Sequence, residues 1–205
     1  MFCLYLGNGP LKNSERIRCT WCQKDELYQR YHDEEWGVPL KNRDKLFEMI
    51  VLESMQAGLS WHIILKRREV MRKAFYNFSP ERLAALSDDE LITFLSNEEL
   101  IRNRLKIFSI RKNAQAFLRI EETQSIVDYL WQFTNGQVIV NKRHDLSEIP
   151  TESSESRAMA RQMRKDGFAF LGPTSCYAFM QSVGMVNDHI CSCYRYNELI
   201  EQADT

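Results

Sequence analysis

Apolar residues recur at intervals of three and four along most of this chain, which is the spacing of amphipathic helices. One such stripe runs from Asp44 towards Ala57 and stops at Gly58, where a helix cap is expected. The only strand-like run, Val138–Val140, has no obvious partner and is assigned to a connector. Further helices are predicted to start at or span Ser60, Ser79–Glu81, Ser87–Glu90, Glu98–Glu121, Ser125–Phe133, Ser153–Lys165 and Thr174–Val183. The pattern therefore predicts an all-α domain of about eight or more helices.

The composition fits a single globular domain of ordinary size. The chain has 205 residues, of which 44% are hydrophobic and 27% are charged. Residues 1–17 show no sustained periodicity and are predicted to be a poorly ordered extension, followed by a domain at 18–196 and a tail at 197–205. No run of about 18 apolar residues and no signal peptide is found, so we expect a cytoplasmic protein without a membrane segment.

The net charge of −1 does not by itself indicate a nucleic-acid partner, so a DNA-binding face would have to be local. One candidate is the segment Gly167–Thr174, which follows the basic residues Arg161, Arg164 and Lys165. Gly172 would let the backbone approach a phosphate, and the next helix would offer free amides to the anion. The pattern is typical of a helix-hairpin-helix motif, but an ordinary pair of helices joined by a turn has it too.

The six cysteines gather near the two ends of the chain. In a cytoplasmic protein they are expected to be free, buried or metal-bound. His189 and Cys193 are four residues apart, which would place both on one face of a helix. With Cys19 and His32 they would complete a closed tetrahedral zinc site that holds structure. The spacing alone leaves two other ligands open: Cys22 and Cys191.

A second candidate site combines a carboxylate with aromatic rings. Glu53 interrupts an otherwise apolar helix face, and Trp61 follows it closely. The aromatic residues Trp21, Tyr31 and Trp36 precede it. A buried carboxylate must be paired or hydrogen-bonded, while aromatic walls bind flat or cationic ligands. Together these residues predict a pocket for a positively charged planar base, although each Trp alone is more typical of a core.

Several blocks of this sequence closely resemble the bacterial 3-methyladenine DNA glycosylase I family. They lie between about Arg18 and Tyr196. The blocks are Arg18–Trp21, Tyr31–Pro39, Leu46–Met49, Leu52–Glu53, Gln56–Trp61, Leu146–Thr151, Cys176–Gln181 and Asn187–His189. The resemblance implies a helix-hairpin-helix glycosylase whose partners are double-stranded DNA containing alkylated adenine and the free 3-methyladenine product. A monomer is the default expectation for a glycosylase of this size.

The resemblance also implies roles for individual residues. A structural zinc ion is expected on Cys19, His32, His189 and Cys193, which chooses Cys19 over Cys22. The base pocket is expected on Trp21, Tyr31, Trp36, Glu53 and Trp61, with Glu53 hydrogen-bonding the methylated adenine and Glu53 and Tyr31 as catalytic residues. DNA contacts are expected from Gln56, Gly58, Leu59, Gly172 and Thr174. Leu59 is the candidate wedge in the gap left by the flipped base, or else a residue that packs beneath Trp61.

The expected reaction is hydrolysis of the N-glycosidic bond of 3-methyladenine after base flipping, in base-excision repair and without lyase activity. The family lacks the Asp that other helix-hairpin-helix glycosylases place after the hairpin, and Asp188 belongs instead to the Asn-Asp-His block. A protein that binds methylated DNA without cutting the bond is the alternative, since it would use the same contacts. A zinc hydrolase is disfavoured because four protein ligands leave no open coordination position.

Overall fold

The computed structural model describes residues 16–203 and is mostly helical, as the sequence predicts. The described residues form the helices α1 (Glu26–Glu34), α2 (Arg43–Gln56), α3 (Trp61–Ala74), α4 (Pro80–Ala84), α5 (Asp88–Leu95), α6 (Arg104–Glu121), α7 (Ile126–Trp131), α8 (Ser154–Lys165), α9 (Pro173–Ser182) and α10 (Tyr194–Ala203). They also form two short strands, β1 (Ile139–Val140) and β2 (Val186–Asn187). The predicted extension at 1–17 lies outside the described residues except for Arg16 and Ile17.

Side-chain caps place several helix starts. The predicted capping box at Ser87 is present at the start of α5. Ser60 precedes α3 as predicted, but its side chain makes no capping hydrogen bond. α6 begins at Arg104 rather than at Glu98, because the side chain of Asn103 caps the helix there. In the part of the chain that the structure describes, no helix has the length and apolarity needed to cross a membrane.

The sequence assigned the run Val138–Val140 to a connector, and this prediction is wrong. The run contains a paired strand. β1 pairs in parallel with β2, with Ile139 opposite Val186. The backbone nitrogen of Ile139 donates to the carbonyl oxygen of Met185 at 2.9 Å. The partner follows only after α8 and α9, so no local turn pattern indicates the pairing.

His189 and Cys193 do not lie on one helix, so that prediction from their spacing is wrong. A bridge between Arg143 and Ile190 continues the strand pair past β2, which keeps this segment extended. The chain then turns before α10, closed by a hydrogen bond from the Cys193 nitrogen to the Ile190 oxygen at 2.8 Å. The domain boundary predicted at 196 falls inside α10, where Leu199 is buried.

α2 lies at the centre of the fold. Every residue from Leu46 to Met55 is buried, because α2 packs against α3, α6 and α9. Two of these buried residues are glutamates. Glu48 accepts hydrogen bonds from the Arg68 Nε at 2.7 Å and from the Lys45 Nζ at 3.0 Å. Glu53, further along the same helix, forms no ion pair with any cation in residues 16–203.

Candidate functional site

Four buried side chains from opposite ends of the chain converge in a cluster that could hold a metal ion. The ligand atoms of Cys19, His32, His189 and Cys193 all lie within 4.8 Å of one another. The Cys193 Sγ is 3.4 Å from the His32 Nε2 and 3.5 Å from the His189 Nδ1, and the Cys19 Sγ is 3.7 Å from the same Nδ1. These separations suit a tetrahedron with Zn–S bonds of about 2.3 Å and Zn–N bonds of about 2.0 Å. The alternatives Cys22 and Cys191 lie outside the cluster.

Both histidines turn their second ring nitrogen to a hydrogen-bond acceptor. The His32 Nδ1 is 2.8 Å from the Asp33 Oδ1, and the His189 Nε2 is 3.0 Å from the carbonyl oxygen of Trp36. A proton donated to these acceptors leaves the other nitrogen of each ring free to bind a metal. Sequence reasoning did not single out Asp33, although it adjoins His32.

The cluster places two thiols in a buried environment. A hydrogen bond with Cys193, together with burial, raises the pKa of the Cys19 thiol well above its ordinary range. Burial also lowers the pKa of His189, which favours the neutral imidazole. Thiolate and neutral imidazole are the forms that bind a divalent metal, and the metal charge would offset two buried thiolates. The donor set therefore fits a structural zinc ion.

A cavity of about 340 Å³ lies beside the cluster, and all five residues predicted for the base pocket line it. Gln56, which the sequence assigned to the DNA contact, also lines the cavity. The sequence analysis did not predict the remaining lining residues, which are Tyr28, Leu146, Ile149, Ala178 and Gln181. Tyr28 lies one turn before Tyr31 on α1, so helical spacing was a usable signal for it. The others reach the cavity only through the tertiary fold.

The aromatic rings that line the cavity are inclined to one another, and one of them contacts the Cys/His cluster. The rings of Trp21 and Trp36 are 5.0 Å apart at 75°, and those of Tyr31 and Trp61 are 5.4 Å apart at 50°. Since these rings do not stack face to face on each other, their faces can stack on a planar ligand. The Trp36 ring is 4.6 Å from the ring of His189, so the cluster supports this wall directly.

Two buried polar atoms of the cavity residues have no hydrogen-bond partner among the described residues: Glu53 Oε2 and Trp61 Nε1. Burial raises the pKa of Glu53 to about 8. Glu48 on the same helix shows the opposite result, since hydrogen bonds from Arg72 and the charge of Arg68 outweigh its burial and lower its pKa. Unpaired buried polar groups are costly, and in a cavity they indicate a ligand that completes them.

The wedge loop, residues 56–60, is the segment predicted to carry the wedge Leu59, and it joins α2 to α3. Gly58 is exposed and has a φ of +76°, a conformation that favours glycine. The Leu59 nitrogen donates to the Gln56 oxygen at 2.6 Å, which closes the loop. The Leu59 side chain is half-buried against the hydrophobic core, so it is available to solvent in part while also packing on the protein.

The segment predicted to be a hairpin joins α8 to α9, which pack against each other. Buried Asn113 of α6 holds the turn, since its Oδ1 accepts from the Ala169 nitrogen at 2.7 Å. Gly172 has an ordinary φ of −76°, and a Cβ there would meet no atom within 4 Å. The fold itself therefore does not require glycine at this position, and the contact with DNA predicted for Gly172 stays a prediction. Thr174 is exposed beside it.

Asp188 does not present a free carboxylate. It is fully buried, and its oxygens accept from the Tyr177 hydroxyl at 2.6 Å and from the Gln181 and Asn141 amides at 2.8 Å. These bonds give Asp188 a structural role in the segment that carries His189, as its place in the Asn-Asp-His block indicates.

Comparison with known proteins identifies the family. A family model described as methyladenine glycosylase matches residues 21–196. The DNA-3-methyladenine glycosylase 1 of Escherichia coli K12 is 46% identical over 184 residues, which is 88% of this chain and 98% of that protein. A crystal structure of a 3-methyladenine DNA glycosylase I has a TM-score of 0.85 at 46% identity, covering 87% of this chain and 98% of its own. A variant of such an enzyme in complex with 3-methyladenine has a TM-score of 0.84 at 31% identity, covering 86% and 96%.

The match extends over most of the chain in sequence and in structure, and the family model includes all the cavity residues and three of the four cluster residues, His32, His189 and Cys193. The resemblance seen in the sequence is thereby confirmed. This chain belongs to the methyladenine glycosylase family of DNA glycosylases.

Proposed function

We propose that this chain removes 3-methyladenine from alkylated double-stranded DNA in base-excision repair, as a monofunctional enzyme that flips the base and hydrolyses its N-glycosidic bond. The similar proteins are named for this activity, and one related structure holds 3-methyladenine. The observation that best supports the proposal is the unpaired Glu53 Oε2 and Trp61 Nε1 in a cavity walled by aromatic rings. We place the enzyme in the cytoplasm as a monomer.

The substrate chemistry suits this cavity. Methylation at the minor-groove nitrogen of adenine gives the base a positive charge, so the base is already a good leaving group and needs little protonation. The protein must then extrude the nucleotide, bind the cation and let water attack the sugar. Unstacking costs a few kcal/mol and is cheapest for a damaged base. Contact between the cation and the Trp and Tyr faces stabilises the flipped state by about 0.5–2 kcal/mol.

Glu53 responds to the charge of its ligand. With a pKa raised to about 8, the carboxyl group is mostly neutral at pH 7 when the cavity is empty. A cationic base beside it favours the carboxylate, because an opposite charge stabilises the ionised form. The cavity therefore supplies a negative charge when the ligand is positive. Burial raises the pKa of Tyr31 well above its ordinary value, so its hydroxyl stays protonated and can donate a hydrogen bond.

The Cys/His cluster is proposed to hold one structural zinc ion per chain, with Cys19, His32, His189 and Cys193 as ligands. Zinc bound by four side chains has no open position, so it supplies cross-linking rather than an activated water. Cys19 and His32 lie before and within α1, and His189 and Cys193 lie just before α10, so the four ligands would join these two parts of the chain. This link holds the walls formed by Trp21 and Trp36.

The DNA-binding face is proposed to combine the α8–α9 hairpin with the wedge loop. Gly172 and Thr174 would meet a phosphate, with the free amides at the start of α9 directed to the anion. Gln56, Gly58 and Leu59 would occupy the gap left by the flipped base, with Leu59 as the wedge. In this proposal α8, the turn and α9 form the helix-hairpin-helix motif that the family resemblance implies.

The decisive experiment is incubation of the protein with methylated duplex DNA and chromatography of the released bases. We expect free 3-methyladenine in the soluble fraction. A protein that only recognises methylated DNA would bind the duplex tightly and release no base, and that result would overturn the proposed function.

We also predict that no covalent enzyme–DNA intermediate forms. A lyase needs an amine at the sugar to form a Schiff base. No lysine follows Lys165 in the chain, and none of the described residues that line the cavity is a lysine. Borohydride should therefore trap no adduct under conditions in which a bifunctional glycosylase control gives one. A trapped adduct would contradict the monofunctional assignment.

A further inference from the structure

Lys106 is a buried cation without a carboxylate partner. Its side chain belongs to the first turn of α6 and is 5% exposed. It forms no ion pair with any acidic residue in the range 16–203. Burial of a charge is costly unless other groups compensate it. The position of Lys106 in the fold shows which groups do so.

The Lys106 ammonium binds the end of α2 and the loop that follows. The Nζ donates to the Met55 carbonyl oxygen at 2.8 Å and to the Ala57 carbonyl oxygen at 2.6 Å. The Met55 carbonyl is among the last four of α2, which have no partner inside the helix. A cation at this end also meets the negative pole of the helix dipole. Two carbonyls and the helix end thus replace the missing carboxylate.

The bonded carbonyls lie at the point where the base cavity meets the DNA face. Glu53 and Gln56, on the last turn of α2, line the cavity, and Gly58 and Leu59 follow. Trp61, which also lines the cavity, begins α3 only two residues after Leu59. Lys106 therefore connects this short segment to α6, which packs against α2, α4, α5 and α7.

We infer that Lys106 is the positioning residue of the wedge loop. Its two hydrogen bonds to the Met55 and Ala57 carbonyls fix the position of the loop relative to α2, so that Leu59 can enter the duplex. The inference rests on the proposed function, because it needs a flipped base and a wedge. A wedge must resist the duplex while it unstacks a base step. A loop held only by the backbone at the end of a helix would yield, whereas two hydrogen bonds from a side chain of α6, which packs against four other helices, resist displacement.

The test compares Lys106→Met with a matched control, Ser109→Ala. Ser109 is buried on the same helix, and among residues 16–203 its hydroxyl bonds only the Lys106 carbonyl, at 2.6 Å. Lys106→Met should lower single-turnover release of 3-methyladenine from duplex DNA by roughly 10- to 100-fold, since a displacement of about 1 Å can have such an effect. Its affinity for free 3-methyladenine should stay within about twofold of the parent protein. Ser109→Ala should leave both quantities unchanged within the same limit.

A double-mutant cycle with Leu59→Ala separates positioning from a general loss of structure. If Lys106 acts through the wedge, Lys106→Met should change excision by no more than about twofold in the Leu59→Ala background. Additive losses of excision rate in the double mutant would overturn the inference. So would a loss of affinity for free 3-methyladenine as large as the loss of excision in Lys106→Met. A Leu59→Ala variant with an unchanged excision rate, beside a Lys106→Met variant with a reduced one, would also overturn it. If Lys106→Met does not fold, Lys106→Gln, which keeps one donor, takes its place in the same cycle. Failure of the proposed function is distinguishable, because the unchanged protein would then release no 3-methyladenine.

Discussion

Replacement of Glu53 by glutamine is expected to weaken binding of free 3-methyladenine by roughly 10- to 100-fold and to leave the fold intact. The side chain keeps its shape and one acceptor but loses its negative charge. A hydrogen bond to a charged group contributes about 1.5–3 kcal/mol, and each 1.4 kcal/mol is tenfold in affinity. The affinity can be measured by calorimetry, and release from methylated duplex should fall with it.

The same variant should change how stability depends on pH. Burial raises the pKa of Glu53 from an ordinary 4.5 to about 8 in the folded protein. The folded state therefore holds a proton that the unfolded state releases, and stability falls as the pH rises from about 4.5 to about 8. The slope for one such group is about 1.4 kcal/mol per pH unit. Relative to Glu53→Gln, the parent protein should lose stability over this window, as chemical denaturation at several pH values would show.

Glu48→Gln is the matched control for both measurements. Glu48 is equally buried on α2 but is neutralised by Lys45, Arg68 and Arg72. Removing it breaks a buried ion-pair network, which typically costs about 3–5 kcal/mol, while base affinity should not change. Trp61→Ala should weaken base binding through lost stacking and should keep the fold. Unchanged affinity and lost stability in Glu53→Gln would instead identify Glu53 as a core carboxylate.

Loss of the metal should destabilise the protein rather than block one chemical step. Protein purified without chelator is expected to contain one zinc per chain, and Cys193→Ser to contain little. A ligand at a concentration about 1,000 times its Kd stabilises the folded state by about 4 kcal/mol. In a chain of this size, loss of the zinc should therefore lower the Tm by roughly 10 °C. Elemental analysis and thermal unfolding on the same samples provide the check.

Cys191→Ser is the control for this experiment, because Cys191 is partly exposed, lies two residues away and is not in the cluster. It should keep its zinc and its Tm. A Cys193→Ser protein with unchanged metal content and Tm would contradict the zinc assignment. So would the absence of stoichiometric zinc from the parent protein.

The sequence by itself was sufficient to predict the family and the helices α2 to α9, whereas α1 and α10 were not predicted, because residues 18–39 show no clear helical pattern and residues 197–205 were assigned to a tail. Amphipathic spacing and Ser caps are local signals, and helix formation within a segment depends mainly on that segment. The starts of α5 and α8 are found where the caps predict them, at Ser87 and Ser153. The family blocks are likewise contiguous, so they could be recognised without a fold.

The tertiary structure decided which groups meet. His189 and Cys193 converge through a turn rather than a helix, and β1 finds its partner only after α8 and α9, because long-range contacts carry no local pattern. Glu48 and Glu53 are equally buried glutamates on one helix, and their surroundings distinguish them: Glu48 is surrounded by cations, whereas Glu53 has an unpaired oxygen. The role of Lys106 arises in the same way, since its two acceptors are backbone carbonyls about fifty residues away, and a backbone oxygen has no signature in sequence.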